Sequence, residues 1–125
     1  MVLALAGFPH FDRSGPAPWS RWQTERMPVY WVNTFTSIRD PERLRLYVDL
    51  AGPAMLAGGG RFIARGEPLA VLEGESALRT TIIEFPDLEA AVAAYHSDAY
   101  QQALRTLGDA ATREIRVIDS APPAE

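Results

Sequence analysis

Glu84 is the residue whose surroundings most demand a chemical explanation. It follows Ile82 and Ile83 and precedes Phe85. A carboxylate in such an apolar run is paired, protonated or facing a cleft. It reads as the ion-pair partner of Arg61, Arg65 or Arg79, as a general acid or base with a raised pKa, or as a plainly exposed side chain. His96, in Tyr95-His96-Ser97, is the second candidate. It is either a proton carrier suited to neutral pH or a hydrogen-bonded residue at a helix junction. Ser97 is not read as its nucleophile, because adjacent residues at a helix start rarely aim at each other. Arg61, Arg65 and Arg79 form either a basic mouth for a small carboxylate or the partners of Glu67, Glu73, Glu75 and Glu84. Tyr30, Trp31, Tyr47, Tyr95 and Tyr100 can line an aromatic pocket or anchor a core or interface.

Other chemistries find no support. The chain has no cysteine and two distant histidines, His10 and His96, so no metal site is expected. Gly58-Gly59-Gly60 precedes a strand and lacks the Lys-Ser/Thr of a phosphate loop. With no dinucleotide fingerprint either, no cofactor is expected. The net charge is -4 and the pI about 5.2, which argues against nucleic acid. No apolar run reaches the ~20 residues of a membrane helix. The opening MVLALAG is too short for a secretory signal, so no membrane is expected and the location reads as cytoplasmic.

The elements that must position these residues can be read in order. The length of 125 residues suits one domain, which buries roughly two-thirds of its unfolded surface. Residues 1–26 mix Pro, Gly, Ser and aromatics without period and read as an N-terminal extension, partly disordered or a docking arm. The domain spans 27–121, and 122–125 is a tail. Residues 28–36 are β-branched and aromatic and read as a strand, with Val29, Trp31, Asn33 and Phe35 on one side. Asp40-Pro41 starts a helix, Gly52-Pro53 kinks or breaks it, and the three glycines end it. Residues 61–65 and 69–73 read as strand segments separated by Gly66-Glu67-Pro68, and 79–85 as the next strand. Asp87 and Ser97 cap two helical segments ending at Gly108. Leu88, Ala91, Val92 and Tyr95 share the face of the first. Residues 113–119 make the last strand.

A βαββαβ order most simply forms an α+β, ferredoxin-like fold: a four-stranded antiparallel sheet with its helices on one face. The strands are apolar on both sides, so the open sheet face needs a cover. The simplest is a second copy, giving an isologous homodimer through that face.

The pieces PVYWVNTFTSIRDPERLRLYV, GGGRFIARGEPLAVLEGE and RTTIIEFPDLEAAVAAYHSDAYQQAL resemble the domain-of-unknown-function family 1330. That family belongs to the dimeric α+β barrel superfamily. The resemblance covers about 27–120. Glu67 stands where the family usually has a second Gly after Arg-Gly, and Asp98-Ala99 where it usually has Pro-Glu. The resemblance implies the fold and the dimer, but no established reaction.

Two functional expectations follow. One is a homodimer that binds or transforms a small organic molecule without a cofactor. Glu84 and His96 would be its acid–base candidates, and Arg61, Arg65, Arg79, Tyr30, Tyr95 and Tyr100 its ligand-binding candidates. The other is a non-catalytic dimerisation module held by the same polar groups. A pocket of several hundred Å³ lined by Glu84 or His96 would favour the first.

Overall fold

Three side-chain caps set where the helices begin. Asp40 accepts the Arg43 backbone N–H at 3.2 Å and Pro41 takes the first helical position, opening α1 (Pro41–Ala57). Asp87 accepts from the Ala90 N–H at 2.8 Å ahead of α2 (Leu88–His96). The Ser97 hydroxyl donates to the Ala94 carbonyl at 2.8 Å and accepts the Tyr100 N–H at 3.2 Å. One residue thus closes α2 and opens α3 (Asp98–Leu107), as short hydroxyl and carboxylate side chains do at helix starts. The computed structural model describes residues 27–75 and 78–122. The expectations for 1–26 and for the tail at 123–125 lie outside the described residues.

Four strands carry the helices: β1 (Val29–Ile38), β2 (Arg61–Gly66), β3 (Arg79–Phe85) and β4 (Ala111–Asp119). They pair antiparallel in the order β2-β3-β1-β4, the ferredoxin-like arrangement. Side chains alternate across a strand. Val29, Trp31, Asn33 and Phe35 of β1 and Thr81, Ile83 and Phe85 of β3 are buried beneath the helices. Tyr30, Val32, Thr34, Thr80, Ile82 and Glu84 lie half-buried on the outer face. That outer face is more mixed than the strand composition suggests, because three of the four outward residues of β4 (Thr112, Glu114 and Arg116, but not Ile118) are polar, and all four are exposed.

Arg43 ties the helices together. Its guanidinium donates to the Thr106 carbonyl at 3.3 Å and the Leu107 carbonyl at 3.0 Å, and meets Asp109 at 3.1 Å. It therefore satisfies the free carbonyls at the end of α3. The turn after α1 is pressed onto the core. A Cβ at Gly60 would lie 2.8 Å from Ile83 and 2.9 Å from the Met55 carbonyl, one at Gly58 would lie 2.7 Å from Ala94, and Gly59 has φ of 95°.

Four local readings change. Residues 69–73 form no strand: the chain leaves the sheet at Gly66 and runs outside it, with Leu69 and Leu72 fully solvated. Their alternation mimics a strand, but β2 is already the sheet edge, and nothing described there offers a partner ladder. Helix α1 continues through Pro53. The ring points to solvent while Ala51, Ala54 and Met55 are buried on the other side. That packing outweighs the roughly 3 kcal/mol an interior proline costs. Helix α2 buries Ala91 and Ala94 rather than the full stripe, leaving Leu88 and Val92 exposed.

The fourth change matters most for function. The β2–β3 register shifts between Phe62 and Ala64. This bulge places two residues of β2 against one of β3 and reverses the alternation beyond it. Arg61 opposes Glu84 on the outer face, whereas Arg65 opposes Thr81 on the helix-facing side. Without the bulge, Arg61 and Arg65 would share a side.

Candidate functional site

The helix-facing side of the sheet carries a polar row inside an apolar layer. Arg65, Thr81, Asn33 and Ile115 stand on one rung across all four strands, at strand spacings of about 4.8 Å. The next rung carries Arg79, Phe35 and Arg113. Asn33 is 5% exposed and Thr81 8%. Beneath α1 lies a cavity of about 40 Å³, lined among others by Asn33, Thr81, Tyr47, Tyr100, Arg65 and Arg79. By volume it holds about three waters, or one end of a small ligand. The Asn33 Oδ1 atom is buried without a hydrogen-bond partner, a cost of about 1–3 kcal/mol. The Tyr47 and Tyr100 hydroxyls bond each other at 2.8 Å. Burial pushes the Tyr47 phenol well above its ordinary range, with the Tyr100 ring and hydroxyl adding to the effect and Arg113 opposing it.

Arg65, Arg79 and Arg113 share the helix-facing side and, among the described residues, lack an acidic partner there, as Arg39 and Arg105 do elsewhere on the surface. The other arginines that face carboxylates are engaged: Arg43 with Asp109, Arg45 with Glu42 and Asp49, Arg61 with Glu84, Arg116 with Glu114. The Arg45 contact holds the Glu42 carboxyl below its usual range, first through their hydrogen bond. Among the described residues Arg65, Arg79 and Arg113 meet no carboxylate. Arg65 lies 4.6 Å over the Phe62 ring and Arg113 5.3 Å over the Tyr47 ring. Cation–π contact keeps each guanidinium in a fixed plane without neutralising it.

A second, larger opening of about 480 Å³ lies between α2 and the β1–β4 pair. Its walls include Trp31, Val92, Tyr95, His96, Arg113 and Ile115. Trp31 belongs to both spaces. Its ring sits 5.5 Å from Tyr100, edge-on, and 6.1 Å from Tyr95, while Tyr95 meets His96 edge-on at 5.2 Å.

The residues singled out from sequence fall into three places. Glu84, Arg61 and Tyr30 are on the outer face, where Arg61 and Glu84 form an ion pair at 2.9 Å and Tyr30 is the cross-strand neighbour of Glu84. His96 and Tyr95 line the large groove. Arg65, Arg79 and Tyr100 line the small cavity. Glu84 and His96 therefore share no space, since the sheet stands between them. Asn33, Thr81 and Arg113 were not singled out. Asn33 had a legible signal, a lone amide in phase with Val29, Trp31 and Phe35. Arg113 is likewise in phase with the inward Ile115 and Val117. Among the described residues no three metal-ligating side chains converge, and no helix is long and apolar enough to cross a membrane.

The family model of the domain of unknown function DUF1330 matches residues 28–121. A comparison with curated proteins finds no match. Among solved structures, a protein of unknown function from Rhodopseudomonas palustris aligns with a TM-score of 0.66 at 19% identity, covering 87% of this chain and 97% of that one. SnoaB, a cofactor-independent oxygenase from Streptomyces nogalater, aligns at 0.57 with 16% identity over 78% of this chain and 96% of its own. A dimeric ferredoxin-like protein of unknown function from Thermobifida fusca aligns at 0.56 with 13% identity over 75% and 92%. At such identities the likeness establishes the fold alone.

Proposed function

From a chain that belongs to the DUF1330 family over residues 28–121, we infer a protein that binds a small organic acid without a bound cofactor. The ligand's carboxylate meets Arg65 and Arg79, and a hydroxyl or amino group reaches Asn33. The carrying observation is the Asn33 Oδ1 acceptor, buried without a partner beside two arginines that have no carboxylate. A fold selected for stability alone removes or pairs such a group, whereas a ligand donor satisfies it. The small cavity contains no carboxylate or histidine. Its role is thus to orient the ligand, and any reaction there draws on the ligand's own reactivity. SnoaB shows that one protein of this fold is a cofactor-independent oxygenase, which supports that reading by analogy.

The chain also acts as a homodimer, joined through its outer sheet face. Support comes from the half-buried Tyr30, Val32 and Ile82 and the exposed Ile118 on that face, and from the dimeric protein of similar fold. Light scattering at micromolar concentration should give twice the chain mass, and a monomer would overturn this part.

A thermal-shift screen of small hydroxy- and amino-carboxylates tests the ligand reading. A true ligand at 100 times its Kd adds about 2.7 kcal/mol of stability, a shift of several degrees. The shift should vanish in Arg79→Met and in Asn33→Leu. Asn33→Leu should itself melt higher in the absence of ligand, because it removes an unpartnered polar group. A shift that survives both substitutions would retire the proposal.

A further inference from the structure

The groove between α2 and the β1–β4 pair holds a second buried group without a partner. The Arg113 Nε–H is buried and finds no acceptor. Its guanidinium faces no carboxylate among the described residues, although the chain as a whole carries more acidic than basic residues. The arginine is held in place from behind, 5.3 Å over the Tyr47 ring. Its side chain also lines about 480 Å³ of space, a volume typical of sites for small organic ligands. The walls are predominantly apolar and aromatic, with Trp31, Tyr95, Val92 and Ile115 among them. His96 supplies one further polar edge, its ring held edge-on against Tyr95.

We propose that this groove is a separate binding site for a flat aromatic carboxylate. The two terminal N–H groups of an arginine form an end-on fork that matches the two oxygens of a carboxylate. That fork gives the guanidinium the carboxylate it lacks among the described residues. The aromatic body lies along Trp31 and Tyr95, where ring faces and edges stack favourably, and covers Val92 and Ile115. A phosphate suits the groove less well, since among the described residues Arg113 is the one arginine or lysine that lines it. The proposal does not rest on the small cavity under α1. The two spaces share the Trp31 ring but draw on different arginines, Arg113 here and Arg65 with Arg79 there.

Titration calorimetry of the full chain with naphthalene-2-carboxylate tests the assignment. One saturable site per chain is expected. The neutral naphthalene-2-carboxamide should bind at least about tenfold more weakly, as loss of a charge-assisted fork implies. Arg113→Met should weaken the carboxylate by a similar factor. Arg113 touches the core, so a second variant guards against misfolding: Val92→Trp, at a surface position of the groove, fills the space and should abolish binding in a protein of native circular dichroism. Arg79→Met should leave the affinity unchanged. The proposal fails if no saturable heat appears, if the carboxamide binds as well as the acid, or if Val92→Trp binds normally. It fails too if Arg79→Met weakens binding as much as Arg113→Met, which would return the ligand to the small cavity.

Discussion

The two faces of the sheet treat charge in opposite ways. On the outer face, arginines stand next to glutamates: Arg61 to Glu84, Arg116 to Glu114. The helix-facing side is drier and has the half-buried Arg79 and Arg113 without acids, and Asn33 without a donor. Simple stability predicts the reverse, because an unpaired charge costs most where water is least available. The face with the higher penalty is the one left unsatisfied.

The largest expected effect probes the dry side. Trp31→Ala should cost about 3–5 kcal/mol in urea unfolding, since the ring is 2% exposed and its removal leaves a cavity. Val32→Ala, one residue on and facing outward, should cost under about 1 kcal/mol in a monomer. A larger, concentration-dependent loss at Val32 would instead show that the outer face is covered by a second copy.

A smaller effect tests the one inner polar pair that is satisfied. Tyr47→Phe leaves the Tyr100 hydroxyl without its partner, a loss of about 1–2 kcal/mol. The pair also has a pH signature. The Tyr47 phenol is raised in the folded state, so both states are protonated below about pH 10 and stability there is flat. Above that, the unfolded chain releases a proton the folded one keeps. Stability then falls by up to about 1.4 kcal/mol per pH unit. Thermal melts from pH 8 to 11 should show this decline in the wild type and a shallower one in Tyr47→Phe. Equal slopes would mean that the phenol is not protected.

The smallest effect is on the outer face. Glu84→Gln should cost only about 0.2–1 kcal/mol, because Arg61 is 71% exposed in its side chain and Glu84 25%. The loss should shrink in high salt. A multi-kilocalorie loss would place this ion pair in a buried interface and weaken the contrast between the faces.

Most of the fold was legible in the chain because its signals are local. Asp40-Pro41, Asp87 and Ser97 mark helix starts through side chains that reach only three residues on. The β1 alternation names its own buried set. What failed was non-local. Residues 69–73 alternate like a strand, but whether a strand forms depends on a neighbour the sequence does not supply. The three arginines chosen from sequence divide between two faces because one extra residue near Ile63 resets the count, and no residue type there announces a bulge. The Asn33 signal was present in phase and type. Its significance depended on what α1 puts above it, which only the packed structure shows.

Helix α1 has one further property. At Pro53 the chain has no N–H to give, so the Asp49 carbonyl loses its helical donor, and the residue before it, Gly52, has no side chain and lines the small cavity. The roof of that cavity therefore lacks a hydrogen-bond rung at this point. A chamber of about 40 Å³ need not have a fixed size if one turn of its ceiling can breathe. Selection among ligands would then depend on how cheaply that turn yields, and on the walls only afterwards.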